Sequence, residues 1–242
     1  MLAPEPTQFT RRSPLYRWHV EAHAAFVELG DAVHPERYPD PQGDPTSCAL
    51  ADLSLLPRFG AKGWETWSTL TTIGIAAPNR NNTATRQPGG DIVMRRGDNE
   101  AFLLGGMFGD GSLVQRAQVL PSASGFYPVP RKDTHVWLLL VGSEVPKQLS
   151  KVCAVDFRPD RFADLTVAQT MIARVGSIVL RDDIAGIPAF HILADGASAR
   201  YLWGVLLDVA SEYAGRAIGF EALRRLKRDS RTDRVTRDGD MP

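Results

Sequence analysis

Arg181-Asp182-Asp183-Ile184-Ala185-Gly186-Ile187-Pro188-Ala189-Phe190-His191-Ile192 is the stretch on which the reading of this chain turns. It follows a period-two run from Met171 to Leu180 and ends in an apolar run from Ala189 to Leu193, which predicts two strands joined by a loop from Asp182 to Pro188. Upstream, His135 to Val141 is apolar and continuous enough for a buried strand, and Gly142-Ser143 opens a helix whose first turn contains Pro146. Downstream, Tyr201, Leu202, Val205, Leu206, Val209, Ala210 and Tyr213 repeat with helical spacing, with Ser198 available as N-cap and Gly215 as stop. The order strand, helix, two strands, helix is an α+β pattern with helices on one face of a mainly antiparallel sheet.

The first half is more broken. Ser13-Pro14 opens a helical repeat through Trp18, Ala22, Ala25, Phe26 and Leu29, which predicts one helix over 12–30. Residues 30 to 45 carry prolines, glycines and acids and read as an irregular connection. Residues 50–54 and 55–60 read as short extended pieces, and Trp64 to Leu70 as a turn or two of helix. Ile92 to Arg95 and Ala101 to Leu104 suggest a hairpin around Arg96-Gly97-Asp98-Asn99. Residues 105–125 read as a long loop with one short helix around Leu113 to Leu120. The expected organisation is an N-terminal segment 1–12, a body 13–220 with a possible subdomain break near 105–130, and a charged tail 221–242 in which arginines alternate with aspartates.

Composition narrows the function classes. With 242 residues, 43% of them hydrophobic, and a formal net charge of zero, the chain can bury a real core but has no global basic field for nucleic acid. No apolar run reaches the roughly 18 residues that span a bilayer, and the first twelve residues have no secretory h-region, so a cytoplasmic location is expected.

The usual constellations of chemistry do not assemble in the sequence. Cys48 and Cys153 are too few and too far apart for a disulfide framework or a zinc cluster, and neither has a base beside it in sequence. His19 and His23 share a helical face at i, i+4, but a third ligand is absent, so no metal is expected. His191 reads as a core or surface imidazole. Asp52 and Ser54 can be imagined with His135 as a hydrolytic triad, yet Ser54 lacks the tight turn that exposes a nucleophile. Gly105-Gly106 and Gly109-Asp110-Gly111 match neither a dinucleotide nor a phosphate-loop pattern.

Without a gap, residues 181–192 are similar to the R-T-G-Y-T-G-E-D-G-F-E-I run of the glycine-cleavage aminomethyltransferases, the T-proteins that work on tetrahydrofolate, keeping Arg181, Gly186, Phe190 and Ile192. In that family the glutamate of this run holds the pterin ring, whereas here the position is Ile187, which can neither accept a hydrogen bond nor carry charge. Further blocks resemble the gamma subunit of heterotetrameric sarcosine oxidase, a shorter branch of the same group. They are Ser13 to His19, Leu50 to Ser54 with Lys62-Gly63, Pro78-Asn79-Arg80, Pro128 to Trp137, Cys153 to Pro159, Ala168-Gln169-Thr170 and Tyr201-Leu202-Trp203, and together they span roughly residues 13 to 220. The Asn81 to Pro88 loop and the tail after 221 depart from that pattern. So does Trp64 after Lys62-Gly63, which rules out the K-G-C-Y-x-G-Q signature of the folate-using iron-sulfur maturation group.

The resemblance implies an aminomethyltransferase-like fold shorter than a full T-protein. It also implies a non-catalytic, gamma-like subunit of a bacterial oxidase of sarcosine or a related N-methyl amine. Its partners would be alpha, beta and delta chains, with FAD, FMN, NAD and tetrahydrofolate held by those partners and no cofactor in this chain. The alternative it leaves open is a free-standing tetrahydrofolate-dependent one-carbon transferase. For that chemistry Asp182 and Asp183 are the candidate general bases, although adjacent residues in extended chain point to opposite faces and a solvated turn is the simpler expectation. For a subunit, Tyr127, Arg131, Trp137 and Arg158 are the interface candidates, because aromatics and arginines are enriched at interface centres, and Pro128 and Pro130 hold the loop of Tyr127 and Arg131 extended. Trp203, between Leu202 and Val205, reads as core.

Overall fold

The computed structural model describes residues 4–39, 46–109 and 111–228. Its frame is two facing sheets. One has six strands in the order Val167–Ile172 (β10), Val175–Arg181 (β11), Ala189–Asp195 (β12), His135–Val141 (β9), Ala49–Asp52 (β3) and Arg216–Ala217 (β13), antiparallel except for the β13–β3 pair. The other has five antiparallel strands in the order Thr83–Arg86 (β5), Ile92–Gly97 (β6), Glu100–Leu104 (β7), Arg58–Lys62 (β4) and Tyr127–Pro130 (β8).

Strand alternation explains why both sheets are buried on two faces. Along β9, Trp137, Leu139 and Val141 point into the core between the sheets, where they meet Phe102 and Leu104 of β7 and Met94 of β6. The alternate residues Val136, Leu138 and Leu140 point outward against helices Tyr16–Glu21 (α1), Val145–Ser150 (α4) and Ala199–Ser211 (α5). The outer face of the five-stranded sheet is covered by Thr66–Thr72 (α2) and Ser112–Gln118 (α3) through Leu70, Leu113 and Val114. The result is four layers, helix, sheet, sheet, helix. The α+β class with antiparallel sheets and packed helices holds, and the second, facing sheet supplies the partner that the apolar run of β9 requires. On α5 the buried set is Ala199, Leu202, Trp203, Leu206 and Ala210, and Trp203 meets Trp18 edge-on at 5.0 Å, so Trp203 is core as expected.

Four local expectations are corrected. The helix over 12–30 is only Tyr16–Glu21; His23 adopts a left-handed φ of 54°, and Ala25–Leu29 (β1) then pairs with Ala32–Arg37 (β2) around Gly30-Asp31. Phe26, Val27 and Leu29 fit a helical stripe and a strand equally well, and Gly30 at φ 66° decides for the hairpin. The connection over 30–45 therefore contains a strand, and its residues 40–45 lie outside the described part. The run from 171 to 180 is the end of β10 and most of β11, joined by Ala173-Arg174 at φ 47° and 67°. Neither turn residue is the Gly or Asn that normally marks such a turn. Ser198 precedes α5 without a side-chain cap; Asp195 instead accepts from the Ala197 N–H at 2.8 Å in the 3-10 turn before it.

The charged segment after 220 also starts differently. Residues 220–228 are helical, and Phe220, Leu223 and Leu226, three apart, sink into the core between the sheets. The remainder of the expected tail, 229–242, lies outside the described residues.

Candidate functional site

The β11–β12 hairpin carries the 181–192 stretch to one end of the space between the sheets, where a cleft of about 390 Å³ opens. Its connecting loop closes in a two-residue turn: Ile184 and Ile187 exchange both backbone hydrogen bonds, at 3.0 and 2.9 Å, around Ala185 (φ 62°) and Gly186 (φ 82°). Asp182, Asp183 and Ile184 form one wall, His191 and Trp137 part of the floor, and Phe108 with Lys227 the opposite rim. Glycines make the remaining side possible, because a Cβ on Gly109 would stand 2.2 Å from the Gly89 carbonyl oxygen.

Charges at this end are closed on themselves. Asp182 accepts from Arg86 Nε at 2.6 Å and from His191 Nε2 at 3.4 Å. Burial alone would raise its carboxyl, but the bond from His191 and the charge and bond of Arg86 outweigh it and hold the group below the usual carboxylate range. Trp137 Nε1 donates to His191 Nδ1 at 2.9 Å; indole nitrogen can only donate, so the imidazole proton sits on Nε2 and points at Asp182. Arg86 also grips Asp164 through Nη2 at 2.8 and 3.0 Å. Asp183 receives a two-pronged bond from Arg181, at 2.8 and 2.7 Å, while Arg181 donates to the Phe162 carbonyl.

The two candidate bases thus reach the cleft, but not as a solvated turn. Asp182 is buried, Asp183 is half-buried, and each carboxylate is held by its own arginine. A general base works best with a pKa near the working pH, and Asp182 is held below even the usual carboxylate range. Ile187 lies in the turn with its side chain packed against the core between the sheets. Its side chain offers no hydrogen-bond acceptor at this position.

The interface candidates separate. Tyr127 is 48% exposed on β8, the outermost strand of its sheet, where Pro128 and Pro130 have no N–H to offer. Trp64, beside it in the same region, is 64% exposed. Arg158 is exposed and paired with Asp156 at 2.6 Å. Arg131 is mostly buried, 5.3 Å over the Phe102 ring. Trp137 is corrected: it is 1% exposed, because β9 is the central strand whose odd positions face the second sheet.

The other constellations are dispersed. His19 Nε2 donates to Asp52 at 2.9 Å, Tyr38 donates to His19 Nδ1 at 2.8 Å, and Ser13 also bonds Asp52, a closed buried network that ties α1 to β3. Ser54 Oγ accepts from the Trp137 N–H at 3.1 Å and His135 Nδ1 is bonded to Thr134, so no triad forms. Cys48 donates to Gln148 at 3.0 Å, and burial pushes its thiol up to about 12. No cluster of three metal-ligating side chains occurs among the described residues, and no helix among them is long and apolar enough to cross a membrane. Sequence reasoning missed Arg86 and the role of His191. Arg86 is 96 positions from Asp182, and only the facing of the two sheets brings them together.

No protein-family model matches the chain and no curated protein matches it. Solved structures do. A chain of the heterotetrameric sarcosine oxidase from Corynebacterium sp. U-96, in complex with pyrrole 2-carboxylate, aligns with a TM-score of 0.63 and 18% identity over 84% of this chain and 96% of that one. The glycine cleavage system aminomethyltransferase T from Bartonella henselae aligns with a TM-score of 0.67 and 18% identity over 90% of this chain and 62% of that one. The chain has an aminomethyltransferase-like fold. It is a short form of that fold, spanning less than two thirds of the aminomethyltransferase T, and its cleft at Asp182 is built from the stretch that first suggested the resemblance.

Proposed function

We propose that the chain is a non-catalytic, gamma-like structural subunit of a cytoplasmic, bacterial heterotetrameric sarcosine oxidase or related N-methyl amine oxidase. It would assemble with alpha, beta and delta chains that hold the FAD, FMN, NAD and tetrahydrofolate. The observation that carries the reading is the alignment over 96% of a sarcosine oxidase chain, against 62% of the aminomethyltransferase T, which makes the former a near match in extent as well as fold. Two features of the cleft support it. Ile187 stands where a pterin-binding acid would be, and Asp182 and Asp183 are already neutralised by Arg86 and Arg181. Exposed Trp64 and Tyr127 supply an apolar docking surface of the residue types that anchor interfaces.

Affinity purification of the chain from its native cells tests the assembly. Recovery with larger flavoprotein chains and amine oxidase activity is expected, whereas a stable monomer without an oxidase partner overturns the proposal. Calorimetric titration of the isolated chain with tetrahydrofolate separates the alternative: saturable micromolar binding would move the reading to a free-standing one-carbon transferase.

A further inference from the structure

The five tyrosines of the chain, Tyr16, Tyr38, Tyr127, Tyr201 and Tyr213, hold their hydroxyls in five different settings. At the start of α1, Tyr16 has the Arg12 guanidinium 4.8 Å from its ring centre and that of Arg17 at 5.6 Å. Arg17 Nε also donates to the Tyr16 hydroxyl at 3.0 Å, in a bond that lies at the surface. A guanidinium can only donate, so the phenol oxygen is the acceptor here. The charges acting on this phenol are those of Arg17 and Arg12, while Glu21, further along α1, acts on Arg17. The bond from Arg17 comes first, the charges of Arg17 and Arg12 follow, and together they outweigh burial and hold the phenol below its ordinary range.

The other four phenols lack this combination. Tyr201 is 52% exposed, but its hydroxyl donates to the Ala173 carbonyl at 3.1 Å, a bond that ionisation would break. Tyr38 donates to His19 Nδ1 at 2.8 Å, and burial, then the charge of Asp52, raises its pKa. Lys151 lies 5.2 Å over the Tyr213 ring, but it is shared with Glu212, whose carboxylate offsets its charge. Tyr127, 48% exposed, has neither a cation over its ring nor a bonded hydroxyl among the described residues. Exposure alone therefore ranks Tyr201 and Tyr127 ahead of the half-buried Tyr16, whereas charge and hydrogen bonding rank Tyr16 first.

We propose that Tyr16, set between Arg12 and Arg17, is a covalent modification site, the phenol of this chain that reacts first with electrophilic acyl donors. A nucleophile beside cations is ionised for a larger fraction of the time at neutral pH, and it is the ionised oxygen that attacks. The Tyr16 oxygen bonds to the acyl carbon, the bond from that carbon to its leaving group breaks, and the phenolic proton departs with that group. The site stands apart from the assembly reading, since it uses neither the Asp182 cleft nor the surface of Trp64 and Tyr127.

Treatment of the full chain with a limiting amount of N-acetylimidazole, followed by peptide mapping in a mass spectrometer, tests it. Acetyl-tyrosine, recognised by its removal with hydroxylamine, is expected at Tyr16 about threefold or more ahead of Tyr127 and Tyr201, as an activated phenol requires. Arg17→Gln should slow the Tyr16 reaction about threefold or more and move its pH profile upward, because both the bond and a nearby charge are lost. Arg12→Gln should act in the same direction with a smaller effect, and both variants should leave the rate at Tyr127 unchanged. Arg12 and Arg17 are exposed, so neither replacement reaches the core, and the order of reaction in the unaltered chain is decisive without them. Tyr127 or Tyr201 acetylated ahead of Tyr16, or Tyr16 reacting at an unchanged rate in a folded Arg17→Gln protein, overturns the proposal.

Discussion

The two ends of the space between the sheets are built from the same hairpin and carry opposite accounts of charge. At the Asp182 end, three carboxylates (Asp182, Asp183 and Asp164) meet two arginines, and each acid has a cationic or N–H donor within 3.4 Å. At the Arg96 end, three cations lean on one carboxylate oxygen and several buried N–H groups remain unpaired. A closed network holds a fold together, whereas buried donors without partners weaken it. A recognisable motif therefore marked the end that is chemically finished, whereas the unfinished end has no motif.

The largest effect should come from the floor of the Asp182 cleft. Trp137→Ala removes a fully buried indole and leaves His191 Nδ1 without a donor, and a loss of about 3–5 kcal/mol is expected in urea unfolding. A smaller loss would mean that the core between the sheets collapses to fill the cavity.

Next, Asp182→Asn should cost about 1–3 kcal/mol, because Arg86 and His191 lose a buried acceptor, whereas Arg96→Gln should cost less than about 1 kcal/mol, because Glu100 keeps Arg131 and Lys62 as partners. Equal costs, measured by the same unfolding midpoints, would erase the distinction between a closed and an open network.

The pH dependence sharpens it further. His34 and His135 have pKa values lowered from 6.5 to about 4, by burial first in each case. Between those values the unfolded chain binds more protons than the folded one, so stability is full above 6.5 and falls as the pH drops toward 4. Asp182 and Asp52 are also depressed, Asp52 to about 2, and their contribution disappears at lower pH still, as each carboxyl protonates. NMR titration of the two imidazoles checks it, since both should protonate well below 6.5.

The smallest expected effect lies in the turns. Ala185→Gly at the acidic end and Arg174→Gly at the basic end both relieve a left-handed backbone, and each should stabilise by up to about 1 kcal/mol in thermal unfolding. A loss on Arg174→Gly alone would show that its side chain, and not only its backbone, holds the β10–β11 turn.

How legible the molecule was depends on the range of the interaction. The β9 run, the β6–β7 hairpin and α5 were readable because period and turn chemistry are local. The β1–β2 hairpin and the β10–β11 turn were not, since Phe26 and Leu29 satisfy two periodicities and Ala173-Arg174 carries no turn signature. The same rule governs the sites. Asp182, Asp183 and Ile187 announced a cleft through one contiguous stretch, but Arg86 and Trp137, which neutralise it, and Arg96, Arg131 and Glu100, which build the other end, are contacts between strands far apart in sequence.

One consequence of the Trp137 to His191 to Asp182 chain concerns measurement. Because both ring nitrogens are committed, one receiving a proton and one giving its own, the imidazole is frozen in a single tautomer and cannot hand protons along. Two well-separated nitrogen resonances should then make this one residue a built-in gauge, silent while the interior is intact and changing the moment anything prises the layers apart.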